Sequence, residues 1–234
     1  MRQQDPQQAL QDSKLITLLP EEARAEFVAK CKVRVYEPRE CIVSKGDSIL
    51  GPTWVEQGLA SVTVPQEHGK PYSFGYNWPG EAFVGTLSGL QEWGVDVRAI
   101  ARTMVVSLPR SVHLEIGQRS TATTLALLST LIVQLLRRQL WITELHSVRL
   151  RPRLLKLLGR LSDELGTATP EGSLLDFPLT HGILTCATLT SQDETARAMR
   201  DLEAWGYFKR LPRHRILISD RRRLNTTEQL GPEE

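Results

Sequence analysis

The sequence predicts an α+β fold in three successive parts: an antiparallel β domain, a long helix, and a small winged helix-turn-helix domain. Three observations predict it. Residues 32–110 hold short β-rich runs separated by turn residues at a spacing of roughly ten. An apolar stripe at helical spacing then continues over about 25 residues without Pro or Gly. Beyond residue 179, two helix starts and a hairpin pattern follow one another closely.

Residues 14–31, "KLITLLPEEARAEFVAKC", read as one or two short helices; Pro20 opens the second, and Glu21 and Glu22 favour its first turn. The runs "KVRVYE", "CIVS", "TWVEQ", "ASVTVP", "YSFGYN", "VRAIA" and "MVVSLP" are the strands of an antiparallel sandwich or barrel. The turns between them include "KGDS", "EHGKP", "NWPGE" and "LQEWG". In 111–147, Ser111 and Ser120 are candidate helix caps. Leu125, Leu128, Leu131 (or Ile132), Leu135, Leu136, Leu140 and Trp141 mark the stripe. A helix of that length outgrows a small β domain. Its stripe needs another cover, and a second copy of the chain, meeting at Leu128, Leu131, Leu135 and Leu136, is the simplest.

Pro152 disfavours helical geometry at Arg151, so the next helix is expected over 153–165, ending at Gly166. "GTATPEGS" reads as a loop and "LDFPL" as a short strand. Helices from Thr180 and Ser191, then the hairpin "YFKRLPRHRILISD", complete the winged helix-turn-helix. The expected domain limits are 14–118, 119–147 and 148–226.

Composition narrows the function. A chain of 234 residues, 24% charged and 41% hydrophobic, suits a globular protein with a proper core. The apolar run "LALLSTLIVQLL" at 125–136 reads as too short to cross a bilayer, and "MRQQDPQQALQDSK" has no apolar leader segment. The expectation is a cytoplasmic protein with no membrane partner. Cys31, Cys41 and Cys186 show no CxxC pair and no metal-ligand spacing, so they read as reduced, half-buried thiols. The net charge is only +2, but bases dominate 137–160 and 197–223, while 1–118 carry slightly more acids. A basic C-terminal part is the electrostatic footprint of a phosphate-backbone binder. No nucleophile–base pair, metal set or phosphate loop appears, and Glu144 and His146 do not share a helix face, so no enzyme is expected.

These parts, in this order, resemble the cAMP receptor protein/FNR superfamily of bacterial transcription regulators over residues 14–224. "KGD" at 45–47 and "VEQGLASV" at 55–62 are similar to the glycine turns of its β-roll, and "PGE" at 79–81 to the start of its phosphate-binding cassette. "LTH" at 179–181 with "TSQDETARAMRDLEAWGYF" resembles its helix-turn-helix, and "ILISDRRRL" the end of its wing. The resemblance implies a cyclic-nucleotide-binding-like β-roll, a dimerisation helix and a DNA-binding winged helix-turn-helix. Its implied partners are double-stranded DNA with a near-palindromic operator, a second copy of the chain, and RNA polymerase.

The departures from the family pattern concern both ligands. In cyclic-nucleotide binders the cassette carries an Arg, followed by Ser or Thr, shortly before the Val-Arg-Ala strand. Here "LQEWGVD" precedes "VRAIA": Trp93 and Gly94 stand in those places, and the loop from Gly80 is longer. A buried phosphate without a cation is heavily penalised, so cAMP is not expected. Glu81 and Arg98 remain of the polar set; with Trp93 they are the candidate pocket residues for an unidentified small-molecule effector, if the domain takes one. An iron–sulfur cluster of the FNR kind needs four cysteines, and nothing specific at Cys41, His68 or His113 supports haem.

On the DNA side, Thr180, His181 and Gly182 occupy positions where the family contacts the backbone. Leu189 stands where the turn normally has Gly, so a somewhat wider turn is expected. The second helix starts at Thr190 or Ser191, both candidates for DNA contact, and Gln192, Asp193 and Arg197 stand where the family has Arg, Glu and Arg. Gln prefers adenine and Asp reaches less far than Glu, so the half-site should differ from the usual TGTGA or TTGAT. Arg197 is the best candidate for a base contact, to guanine. Asp193 serves either as a base reader or as a helix cap. Arg200, Lys209, Arg210, Arg213 and His214 are candidates for phosphate contacts. Ala198, Leu202, Trp205, Tyr207 and Phe208 are expected in the core. A second reading stays open, in which the chain is a ligand-binding regulatory module whose C-terminal domain contacts a protein.

Overall fold

Successive strand residues in the first half of the chain point to two different apolar interiors, and the layers follow from that alternation. The structure, a computed structural model, describes residues 10, 13–17, 19–68, 72–83, 91–147, 149–220 and 224. It consists of two compact units, Met1–Arg138 and Gln139–Glu234. The boundary therefore falls inside the long helix rather than at either of its ends.

In the first unit, β1 (Lys32–Tyr36), β3 (Thr53–Gln57) and β7 (Thr103–Ser107) form an antiparallel sheet in the order β1-β7-β3. A second sheet takes β2 (Cys41–Val43), β4 (Ala60–Val64), β5 (Tyr72–Asn77) and β6 (Asp96–Ala99) in the order β2-β6-β4-β5. Val55 and Val105 join Val43, Val62, Val97 and Phe83 in a core shared by both sheets. Their chain neighbours Trp54 and Val106 face a second core with Leu10, Ile16, Leu19, Phe27 and Leu108. That core is covered by α1 (Lys14–Thr17), α2 (Glu21–Lys30), α3 (Arg110–Arg119) and the start of α4 (Thr121–Ser147). Each apolar strand run predicted from sequence contains a strand. Gly58, in "VEQGLASV", has φ +92°, and a Cβ there would collide with Arg102 O and Thr103 Cα.

Ser120 caps α4 through its hydroxyl, which accepts from Thr123 N at 3.2 Å, whereas Ser111 lies inside the first turn of α3. Ala126, Leu127 and Leu131 of α4 pack on the second core. Gln134, buried, accepts from Ala82 N (3.0 Å) through Oε1 and donates to Ala82 O (2.8 Å) through Nε2. A side-chain amide thus makes the pair of bonds that a neighbouring strand would make. One turn on, Arg138 Nη2 lies 3.5 Å from Glu81 Oε2 and 3.4 Å from Asn77 Oδ1. Thr123, Ala126, Leu127, Thr130, Leu131, Gln134 and Arg138 thus form one side of α4, while Leu125, Leu128, Ile132, Leu135, Leu136 and Leu140 are exposed on the other. Leu131, expected at the partner-facing seam, belongs to the side packed on its own chain, and Ile132 takes the exposed position. By length and composition Thr121–Thr143 is long and apolar enough to cross a bilayer, which corrects the expectation drawn from 125–136 alone. Gln134, Arg137 and Arg138 within that span deny it an apolar perimeter.

In the second unit, α5 (Leu150–Leu165) begins before Pro152, not after it. Pro152 sits in the first turn, where its missing N–H would have had no intrahelical partner. The segment expected as a loop contains a hairpin of β8 (Thr167–Thr169) and β9 (Gly172–Leu175), so the strand lies earlier than "LDFPL". Two helices follow, α6 (His181–Thr188) and α7 (Gln192–Ala204), and then β10 (Lys209–Leu211) and β11 (Arg215–Ile218). The sheet runs β10-β11-β9-β8, and α5 packs on α6, α7 and β9 through buried Leu154, Leu155, Leu158 and Leu161.

Candidate nucleic-acid interface

Short polar residues ahead of apolar runs set both helix starts. Thr180 is the N-cap of α6, its hydroxyl accepting from Ile183 N at 3.4 Å. Ser191 caps α7 in a capping box: its Oγ accepts from Glu194 N at 3.3 Å, and Glu194 Oε2 accepts from Ser191 N at 3.1 Å. The Ser191 hydroxyl is the first cause that holds the Glu194 carboxyl below its ordinary range. Capping thus falls to Ser191 and Glu194, and Asp193 stands exposed in the first turn.

The turn between the two helices is tight rather than widened. Leu189 is the C-cap of α6 at φ 51°, ψ 49°, in the left-handed region that favours glycine. Thr190 N still donates to Thr185 O at 3.3 Å. Four threonine hydroxyls join the helices across it: Thr188 to Thr190 at 3.0 Å, Thr190 to Thr195 at 2.9 Å, and Thr185 to Thr195 at 3.2 Å. The Thr190 hydroxyl, a sequence candidate for DNA contact, is directed into this network. Arg153 of α5 adds a guanidinium donor to Thr188 O at 2.9 Å, at the C-terminal end of α6 where a cation is favoured.

Around α7, buried Thr195, Ala198, Met199 and Leu202 lie on one side. Gln192, Asp193, Arg197 and Arg200 are exposed and fall within an arc of about 140°, at about 100° per residue. The face offers one amide, one carboxylate and two guanidinium groups, a set able to meet base edges and phosphates. Trp205, expected in the core, is instead 38% exposed as the C-cap of α7, with the Arg151 guanidinium 5.4 Å from its ring centre. Arg151 also pairs with Asp201 at 2.6 Å. These α5 contacts were missed from sequence, where "VRLRP" gave only a charge signal and an expected break before the helix.

Beside α6, His181 is half-buried and Gly182 exposed. Between β10 and β11, Arg213 (φ 63°) and His214 (φ 57°) are both left-handed and exposed. Leu179 N donates to His214 O at 3.0 Å, which ties this hairpin to the segment entering α6. Burial, then the charges of Arg210 and His214, hold the His181 imidazole below its ordinary pKa of 6.5. The basic run 221–223 lies outside the described residues.

The effector candidates do not converge on one pocket. Trp93 is buried in the inter-sheet core, edge-on to Phe83 with ring centres 6.1 Å apart. Its backbone pairs with the glycine turn, Trp93 N to Asp47 O at 2.9 Å and Gly46 N to Trp93 O at 2.8 Å. Arg98 is exposed on β6, between inward Val97 and Ala99, so its guanidinium does not share the side Trp93 occupies. Glu81 is buried and accepts from Trp78 N at 3.2 Å beside Arg138. Residues 84–90, part of the loop from Gly80 that is expected to be longer than in the family, lie outside the described residues. Of the thiols, Cys31 is pushed up to about 12 by burial and by Glu56, whereas Cys41 is exposed rather than half-buried.

The two-sheet roll, the long helix and the helix pair with its hairpin define a cyclic-nucleotide-binding-like fold of mixed helix and strand. Solved structures of transcription regulators of the cAMP receptor protein/FNR type share it. A CRP-family transcriptional regulator from Thermus thermophilus matches with a TM-score of 0.67 at 20% identity, over 82% of this chain and 94% of that one. A putative cyclic nucleotide binding protein from Ruegeria pomeroyi matches at 0.69 and 17% identity, over 96% and 97%. The c-di-GMP responsive global regulator CLP from Xanthomonas campestris matches at 0.63 and 19% identity, over 86% and 100%. No protein-family model matches the sequence, and no curated protein matches it.

Proposed function

We propose that the protein is a homodimeric, sequence-specific DNA-binding transcription regulator, acting in the cytoplasm on a near-palindromic operator. The observation that carries this reading is the exposed Gln192–Asp193–Arg197–Arg200 face of α7, a helix firmly capped at its N-terminus and buried on its opposite side. In this reading α6, α7 and the β10–β11 hairpin form a winged helix-turn-helix. Gln192, Asp193 and Arg197 meet base edges, while Thr180, His181, Gly182, Ser191, Arg200 and Arg213 meet the backbone. The exposed α4 stripe of Leu128, Ile132, Leu135 and Leu136 supports dimerisation. The β-roll takes an effector other than cAMP or none: Trp93 packs as core where a phosphate-binding cation would be needed. The same domain is a surface for RNA polymerase.

Selection of bound duplexes from a random pool, with purified protein, tests the reading. A two-fold symmetric motif with half-sites about ten base pairs apart is expected. Enrichment of no symmetric motif, with or without cell extract as a source of effector, would sink it.

A further inference from the structure

The exposed side of α4 carries a heptad, not merely an apolar stripe. Leu125, Leu128, Ile132, Leu135, Gln139 and Ile142 are all exposed and follow one another at intervals of three, four, three, four and three. They fall within an arc of about 100°, at about 100° per residue. That alternation is the seam of a two-stranded coiled coil, with Leu125, Ile132 and Gln139 at its a positions and Leu128, Leu135 and Ile142 at its d positions. The opposite side of the helix is already taken. Ala126, Leu127 and Leu131 pack on the second core of the β domain, while Gln134 and Arg138 bond to Ala82, Asn77 and Glu81. With Leu136 beside the seam, the exposed apolar side chains of two copies amount to roughly 1,000 Å², the threshold for a specific interface. Gln139 is the one polar residue of the six.

On the single chain the Gln139 side chain is solvated, but closure of the seam encloses it. An enclosed carboxamide is satisfied only by another polar group, so its neighbour across the seam decides which pairing is stable. In a parallel, in-register pair each a residue faces its own copy. Gln139 then meets the partner subunit's Gln139, and Nε2–H of one amide donates to Oε1 of the other. In an antiparallel pair a residues face d residues, and Gln139 meets the partner subunit's Leu128. A slip of one heptad sets it against the partner subunit's Ile132. Both alternatives leave two amides enclosed without a partner.

We propose that Gln139 fixes how two copies of α4 meet, selecting the parallel, in-register pair in which its amide bonds to the same amide of the partner subunit. The inference rests on the dimer of the proposed function and adds its orientation and register. A two-fold axis along the paired helices carries both C-terminal ends of α4 to one end of the dimer, as two half-sites on one duplex require. The amide gives this selectivity at a cost in affinity, because an apolar residue at the same position would close the seam more tightly.

Cross-linking of the full-length protein tests the pairing. Q139C and L128C subunits are treated with a short bis-maleimide, and peptide mapping separates the new linkages from any through Cys31, Cys41 or Cys186. Q139C should give the 139–139 linkage, and a mixture of Q139C with L128C should give little linkage between 128 and 139. Sedimentation of Q139L gives a second readout. It should self-associate about tenfold more tightly than the wild type and form species larger than a dimer, whereas Q139N, which keeps an amide, should remain a single dimer. A dominant 128–139 linkage, no 139–139 linkage in a dimeric Q139C, or a Q139L that forms only dimers no tighter than the wild type each overturn the inference and leave dimerisation intact. A wild-type protein that sediments only as a monomer overturns the dimer itself, and this inference with it.

Discussion

Leu189 holds a left-handed backbone with its side chain 61% exposed, so the leucine gains little burial for the strain it carries. A β-carbon in that conformation costs about 1–2 kcal/mol, and the greater freedom of glycine in the unfolded chain offsets part of the relief. L189G is therefore expected to raise stability by about 0.5–1 kcal/mol, read from urea unfolding followed by circular dichroism. A destabilised variant would mean that the leucine side chain itself holds the turn. Leu189 was legible as the turn residue but the tightness of the turn was not, because the threonine hydroxyls that join α6 to α7 become neighbours only in the fold. Thr180 and Ser191 were legible as helix starts because capping is local chemistry, set within three residues, although the capping role in the second helix was weighed for Asp193 rather than Ser191. Trp205 was not legible, since α7 ends at Ala204 and the C-cap backbone (φ −79°, ψ 0°) carries the indole off the buried face.

Elements with a strong local period were readable, and those defined by a partner were not. The β-domain strands showed themselves as branched and aromatic runs between turn residues. The β8–β9 hairpin did not, because Thr167–Thr169 is short and polar and its pairing with Gly172–Leu175 supplies what the sequence lacks. The two sides of α4 were likewise partly legible: Gln134 and Arg138 interrupt the apolar stripe four residues apart, the spacing of one helix face. Their targets, Ala82, Asn77 and Glu81, lie more than fifty residues away in sequence. Gln134, only 4% exposed, makes two bonds whose loss would leave Ala82 N–H buried without its acceptor. Q134A should destabilise the first unit by about 2–3 kcal/mol, measured as a shift in its thermal or urea transition. A loss under about 0.5 kcal/mol would show that water replaces the amide and that the helix is held by Leu127 and Leu131 instead.

At the scale of the whole molecule, the chain alone leaves α4 with an unfinished surface. Leu135 and Leu140 are 60% and 65% exposed, and the other large apolar residues of that side stand near them on the helix. Side chains of this kind, repeated over successive turns, are seldom left to water, and a copy of the same helix offers the matching pattern. The proposed assembly then sets the scale of DNA affinity, because two tethered reading helices gain from effective concentration what neither has alone. L135E/L136E places carboxylates at the middle of that stripe while sparing Leu127, Leu131 and Gln134, which hold α4 to its own β domain. The variant should sediment as a monomer with unchanged circular dichroism. It should bind a symmetric duplex about 100-fold more weakly than the wild type, yet bind an isolated half-site with similar affinity. A variant that remains dimeric in sedimentation would move the interface elsewhere. One that becomes monomeric with no loss on the symmetric duplex would detach dimerisation from DNA recognition, and with it the need for a near-palindromic operator.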